Sequence, residues 1–224
     1  SKKNNTEFFV ERLKKWDNKK IKETILWFKK IIKENKATIK KKKLSNLVGW
    51  EKKLQNDSYS HKSGYFFKVE GYEIKNSNNR EVKSWDQPFI REVGHKGGII
   101  GLIKKNIKGI PHYLVQAKFE PGNFGGVQLS PSMQSTFSNL NQKHNGKSND
   151  FIKLFNRKST IKKKWINEDG GRFMKKRNLH WIIKINKNFR VKKNFKWLTL
   201  WDIIYLSNKT NIVNCHLRSI ITLL

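Results

Sequence analysis

Ile110-Pro111-His112-Tyr113-Leu114-Val115-Gln116-Ala117-Lys118-Phe119-Glu120-Pro121-Gly122-Asn123 is the stretch on which the fold turns. Tyr113, Val115, Ala117 and Phe119 recur at every second position, the period of a strand with one buried face, and Pro121-Gly122-Asn123 then breaks the run. The same alternation sets Gln116, Lys118 and Glu120 together on the other face. Residues 99–103 form a second apolar run, and Asn106-Ile107-Lys108-Gly109 carries the turn chemistry that joins the two as a hairpin. Further upstream, residues 65–69 and 80–85 read as another hairpin about Asn76-Ser77-Asn78-Asn79, with Pro88 interrupting it.

Both ends of the chain turn helical. Asp17 is placed to cap a helix in which Ile21, Ile25, Phe28 and Ile32 recur at four, three and four residues, one apolar stripe expected to dock on the domain that follows. Lys40, Lys41, Lys42 and Lys43 form a solvated run that reads as a hinge. Near the C-terminal end Ser148 or Asp150 is expected to start a short helix through Phe155, Thr199 to cap residues 200–206, and Asn214 to cap residues 215–223. Strands in the middle and helices at both ends define an α+β layered domain, residues 49–224, preceded by a basic helical arm, residues 1–48.

The chain of 224 residues is long enough to bury roughly 70% of its unfolded surface. With 36% hydrophobic and 12% aromatic residues it is no disordered polyelectrolyte, and its apolar residues are too scattered for membrane spans. Cys215 stands alone, excluding an intrachain disulfide, and the lysine-rich start lacks a secretory signal, so a cytoplasmic protein is expected. The net charge of +32 points toward polyanions. Its makeup points elsewhere: 41 of the 49 basic residues are Lys and 8 are Arg, whereas base and phosphate recognition favours the Arg fork. Abundant Lys, Asn and Ile with only two Ala fit an AT-rich genome without any ligand. A nucleic-acid-binding module is therefore the alternative reading, and no specific nucleic-acid or membrane partner is expected.

The codon bias stops at residues 110–140. A window of this length would hold roughly nine charged residues at the chain's 29%, yet it contains Lys118 and Glu120 alone. A base and a carboxylate two residues apart on one strand face suit proton transfer and anion binding; they equally suit an ion pair on a solvent-facing edge. Gly125-Gly126 offers a flexible turn that lets backbone amides approach a ligand. The residues that follow, Gln128 with Ser130, Ser132, Gln134, Ser135, Thr136, Ser138 and Asn139, are neutral donors and acceptors able to read sugar hydroxyls or to form a polar loop.

Gln116-Ala117-Lys118-Phe119-Glu120-Pro121-Gly122-Asn123, then Gln128-Leu129-Ser130-Pro131 with Gln134, Thr136, Ser138 and Asn139, resembles the NDP-hexose 2,3-dehydratases of deoxysugar biosynthesis. Weaker matches flank it in family order: Gly-Tyr-Phe-Phe-Lys-Val-Glu-Gly from Gly64 to Gly71, Trp85-Asp86-Gln87-Pro88, Gly98 with Gly101, Gly170-Gly171-Arg172-Phe173, Arg177-Asn178 and Phe195-Lys196-Trp197-Leu198-Thr199-Leu200. The resemblance implies a cofactor-free, metal-independent lyase for a nucleotide-linked 4-keto-6-deoxyhexose, built from tandem Nudix-like α/β/α sandwich repeats with a mixed β-sheet. Only the first of two repeats is matched, so a second repeat or a homo-oligomer is the expected partner, and a non-catalytic sugar-nucleotide-binding repeat is a further alternative. Ser132 stands where the family usually has Thr, and Leu140 where it has Tyr. The glutamate-rich, magnesium-binding helix of Nudix hydrolases is absent, which argues against diphosphate hydrolysis.

Within that substrate class a C-4 ketone acidifies the C-3 hydrogen, and the C-2 hydroxyl then leaves. Glu120 is the expected base if burial raises its pKa, and Lys118 the group that stabilises the enolate or protonates the hydroxyl; the opposite assignment stays open. Gln116, Asn123, Gln134, Thr136, Ser138 and Asn139 are the expected sugar-nucleotide contacts, and Arg172 and Arg177, after the Gly170-Gly171 turn, the expected diphosphate clamp; a dTDP-linked sugar is the expected substrate. His61, His95, His112, His144, His180 and His216 lack metal-ligand spacing, so no metal is expected. His144 is the histidine expected to line the site.

Overall fold

The computed structural model describes residues 17–94, 97–136 and 150–224. Two sheets organise it. The smaller is an antiparallel meander of β1 (Trp50–Lys53), β2 (Ser58–His61), β3 (Phe67–Ile74) and β4 (Trp85–Glu92), in that order. The upstream hairpin is present here, but its second strand begins at Trp85, where residues 80–85 were expected, and runs through Pro88. Pro88 is tolerated because β4 is an edge: the amide of Ile90, two residues on, points outward to the Arg172 carbonyl at 2.9 Å, so Pro88 removes no bond from the β3 ladder.

The larger sheet has seven strands and carries the decisive hairpin, β5 (Gly98–Ile107) and β6 (Ile110–Phe119). Lys108 and Gly109 both take left-handed φ, 50° and 77°, the two-residue turn that matches strand twist. The hairpin is paired only near this turn, from Ile107↔Ile110 to Ile103↔Leu114. Beyond that it forks. β7 (Val127–Pro131) enters the fork along β6, and β8 (Met133–Thr136) leaves it along β5. Ser132, fully buried, sits at the apex, donating to the Leu114 carbonyl at 2.5 Å and accepting from the Ile103 amide at 2.9 Å. It thereby satisfies the two backbone groups left open where the strands part.

β9 (Thr160–Asn167), β10 (Arg177–Lys184) and β11 (Phe195–Leu198) complete the sheet, in the order β11-β6-β5-β10-β9. β10 is parallel to β5 and the other pairings are antiparallel, so the sheet is mixed, as expected. One face packs on three helices: α1 (Asn18–Glu34), α2 (Leu200–Ser207) and α3 (Cys215–Ile221). Leu102, Tyr113, Val115, Leu129 and Ile182 meet Phe28 of α1, Ile203 and Leu206 of α2, and Leu217 and Ile220 of α3 in one core. All three expected caps form: Asp17 accepts from Lys20, Thr199 makes a reciprocal capping box with Asp202, and Asn214 accepts from Leu217. Of the α1 stripe, Ile21 and Phe28 are buried, whereas Ile32 is 40% exposed and Ile31 packs inward instead. The opposite face covers Ile103, Leu114, Met133 and Ile183 with Phe151 and Phe155, which flank a 3-10 turn, Ile152–Leu154, where a short helix was expected.

Candidate active site in the forked hairpin

The fork in the hairpin makes room for a site. Segment 212–214 lies along β7, its backbone exchanging hydrogen bonds with Leu129 at 2.7 and 2.9 Å. That brings Asn214, the cap of α3, between β7 and β8. Its Nδ2 donates to Ser130 Oγ at 3.0 Å, to Gln134 Oε1 at 3.4 Å and to Glu120 Oε2 at 3.3 Å, while its Oδ1 caps the helix at 2.8 Å.

Glu120 is the centre of this network. Oε1 accepts from Gln134 Nε2 at 2.6 Å and Lys118 Nζ at 3.3 Å; Oε2 accepts from Asn123 Nδ2 at 3.3 Å and from Asn214. The Glu120 and Lys118 side chains retain 24% and 29% of their exposure, so the pair is neither sealed nor fully solvated. Burial pushes the Glu120 carboxyl upward, but the Lys118 ammonium and the hydrogen bonds from Asn214, Lys118 and Asn123 outweigh it, leaving the group below its ordinary value. Burial therefore does not raise the pKa of Glu120 as expected: the donors prevail and hold it ionised.

The glycine turn after β6 is self-contained. Gly125 and Gly126 both have left-handed φ, 78° and 77°, and the Asn123 and Gly126 amides bond within the turn at 3.0 and 2.9 Å. The glycines let the chain reverse and swing Asn123 onto Glu120; those amides are already occupied.

Beside the carboxylate lies a cavity of about 150 Å³ lined by Lys118, Gln134, Ser135, Thr136, Glu168, Lys176, Asn178 and His216, with Gly98 and Ile100. A Cβ on Gly98 would stand 2.7 Å from the Ser135 carbonyl, so only glycine lets β8 lie this close. Glu168 Oε1 accepts from Asn178 Nδ2, whose Oδ1 accepts from the Gly98 amide, and His216 Nδ1 stands 3.7 Å from the same carboxylate oxygen. A larger groove of about 810 Å³ shares Glu168 and Lys176 with this cavity and is lined by Arg91, Lys175 and Arg177.

Lys118, Glu120, Asn123 and Gln134 are thus joined by direct hydrogen bonds, and Thr136 lines the adjoining cavity. Gln116 stands up the strand, opposite Ser130 and Phe195. Arg177 lies in the basic groove with its guanidinium 5.0 Å from the Trp165 ring centre. Arg172 is not beside it: its side chain is 79% exposed, 3.9 Å from Asp169. Ser138, Asn139, Leu140 and His144 lie outside the described residues. Nothing in the sequence singles out Glu168, Lys176 or His216 as site residues, and Asn214 reads there as a cap alone. His216 lies two residues after that cap, and Asn178 belongs to the Arg177-Asn178 match, so two indirect signals are present in the sequence. Among the described residues no group of three or more His, Cys, Asp or Glu gathers to hold a metal, and no helix is long and apolar enough to cross a membrane.

An ionised carboxylate held beside an ammonium, amides and a small polar cavity is equipment for acid-base chemistry on a polar substrate. The family model for NDP-hexose 2,3-dehydratase matches residues 21–224, and the chain belongs to that family. It is 32% identical over 224 residues to a Saccharopolyspora spinosa protein named dTDP-4-dehydro-6-deoxy-alpha-D-glucopyranose 2,3-dehydratase, covering 98% of this chain and 46% of that one. A protein of the same name from Amycolatopsis orientalis is 33% identical over 171 residues, covering 73% of this chain and 36% of its own. The chain therefore spans about half the length, or less, of these curated relatives. A solved ADP compounds hydrolase aligns with a TM-score of 0.39 and 11% identity over 70% of this chain and 84% of its own. At that distance the fold rests on the chain's own strand order.

Proposed function

We propose that this chain carries out, or forms the catalytic half of, elimination of water across C-2 and C-3 of a dTDP-linked 4-keto-6-deoxyhexose. The observation that carries the reading is the Glu120 carboxylate, held by Lys118, Asn123, Gln134 and Asn214 at the opening of the forked hairpin. Glu120 removes the C-3 proton, made acidic by the C-4 ketone, and Lys118 stabilises the enolate oxygen. The 3.3 Å contact between them is long for a charge-assisted bond and is the one a substrate displaces. As Lys118 turns to the enolate, an Oε1 lone pair is freed and the Glu120 pKa climbs toward that of a useful base.

Gln134, Thr136, Asn123 and Gln116 are the sugar contacts of this reading, and the family match adds Ser138 and Asn139 to them. Arg177 holds the diphosphate in the basic groove, with Arg172 closing from outside. The enzyme works in the cytoplasm with a second repeat or a second copy against it. The test is Glu120→Gln in deuterated buffer with the dTDP-4-keto sugar: ligand binding persists and exchange of the C-3 hydrogen is abolished. Unimpaired exchange and turnover by this variant would remove the carboxylate from the mechanism.

A further inference from the structure

Elimination needs two proton transfers, and the cluster around Glu120 accounts for one. The C-3–H bond breaks and its electron pair forms the enolate; when the enolate collapses, C-2=C-3 forms and the C-2–O bond breaks. The departing oxygen must gain a proton to leave as water.

Among the described residues two histidines stand near the cavity, and one is already committed. His180 is 3% exposed, with Nδ1 3.2 Å from the Asn178 carbonyl and Nε2 2.9 Å from Ser219 Oγ. Both ring nitrogens are used, as donor and acceptor, in the neutral tautomer that pins α3 to β10. His216 lies in the same helix, one turn earlier, and lines the cavity alongside Lys118 and Gln134. Its carboxylate neighbour is held in place from behind, because the Gly98 amide orients Asn178 and Asn178 donates to Glu168.

We propose that His216, paired with Glu168, is a catalytic residue of this dehydration: the general acid that protonates the departing C-2 hydroxyl. The inference rests on the dehydration reading above. Asn214 and His216 sit two residues apart at the start of α3, so one helical turn holds the base through Asn214 and presents the acid to the same cavity. The groups facing the imidazole are Glu168 and Glu120, which draw its pKa up, Lys176 and Lys118, which push it down, and His180 across from it on β10. Burial is the largest influence and leaves His216 below its ordinary value.

The test separates the two transfers. The chain is incubated with dTDP-4-keto-6-deoxyglucose in deuterated buffer, and exchange at C-3 and loss of the C-2 hydroxyl are followed together by NMR across pH. His216→Asn is expected to keep exchange within about 3-fold of the parent while slowing hydroxyl loss at least ~100-fold. Glu168→Gln keeps the acceptor for Asn178 but removes the charge that raises the His216 pKa. Its hydroxyl-loss rate therefore falls off at lower pH than in the parent, with the exchange profile unmoved, a shift that a merely structural role would not produce. Hydroxyl loss at the parent rate in His216→Asn, equal loss of both rates, or an unmoved profile in Glu168→Gln overturns the assignment. If the parent chain neither exchanges nor eliminates, either alone or mixed with a second repeat of the same family, the dehydration reading fails and the assignment with it.

Discussion

Asn214 makes two kinds of contact through opposite ends of one amide, and two substitutions separate them. Asn214→Ala removes the α3 cap, worth about 1 kcal/mol. It also removes the Nδ2 donor to buried Ser130 and half-buried Glu120, worth roughly 1 to 2 kcal/mol more. The sum, about 2 to 3 kcal/mol, lowers the Tm of a chain this size by roughly 5 to 10 °C, and by similar amounts at pH 8 and pH 5. Asn214→Asp keeps a capping oxygen but sets a carboxylate where Nδ2 stood, 3.3 Å from Glu120 Oε2. Two charges at that separation repel by several kcal/mol at an effective dielectric of about 20, so the pair retains a proton instead.

The shared proton gives a folded pKa above the unfolded value. Stability is then fully present below the unfolded pKa and is lost as pH rises through the folded one. Asn214→Asp should therefore melt several degrees below the parent at pH 8 and close most of that gap as pH falls toward about 4, measured by circular dichroism at fixed ionic strength. In the parent the depressed Glu120 works the other way, contributing stability above the ordinary carboxylate range and losing it as pH falls. Parent-like melting of Asn214→Asp at pH 8, or a pH-dependent recovery of Asn214→Ala like that of Asn214→Asp, would refute this account of the network.

Ligand-induced stabilisation by a dTDP sugar should fall more in Arg177→Ala than in Arg172→Ala, because the first side chain lines the basic groove and the second is outside it; equal losses in thermal-shift assays would contradict that ranking. Ser132→Ala leaves the Leu114 carbonyl and Ile103 amide unsatisfied at the fork and should cost about 2 to 4 kcal/mol in urea unfolding, while Ser132→Thr retains the hydroxyl and costs less; a neutral Ala variant would count against the fork. In the small sheet, hydrogen bonding to Arg91 and Lys68 holds Glu70 at about 2. That stability is complete above the ordinary carboxylate range and disappears as pH falls toward about 2, so the deficit of Glu70→Gln, about 2 kcal/mol at pH 7 allowing for the part-exposed Arg91, should shrink by pH 3.

The elements that the sequence made legible are those whose causes are local. The β5–β6 hairpin rests on alternation and a two-residue turn, and α2 and α3 on a capping side chain three residues from the amide it serves. β7 and β8 read as a polar loop because Gln128, Ser130, Ser132 and Gln134 present neutral donors and acceptors, although Val127, Leu129 and Met133 alternate with them at the strand period. They are strands all the same. Ser130 and Ser132 are fully buried, and their partners come from Asn214, Leu114 and Ile103, positions invisible in any local window. β9 was hidden differently: Lys162, Lys163 and Lys164 obscure the alternation of an exposed edge strand. Lysine on such an edge also discourages pairing with another chain.

The site follows the same division between local and distant causes. Charge depletion across residues 110–140 isolated Lys118 and Glu120, because a strand that runs through the core excludes every charge lacking a purpose or a partner. What surrounds them could not be read locally. Glu168 and Lys176 flank the turn between β9 and β10, and His216 arrives on α3; each sits in a lysine-rich or helical context that disguises it. The helix joins the two halves of the site because the backbone of segment 212–214 lies against β7 inside the fork. A change that loosened that segment would release Asn214 from Glu120 and move His216 with it, so the proposed base and the proposed acid should fail together.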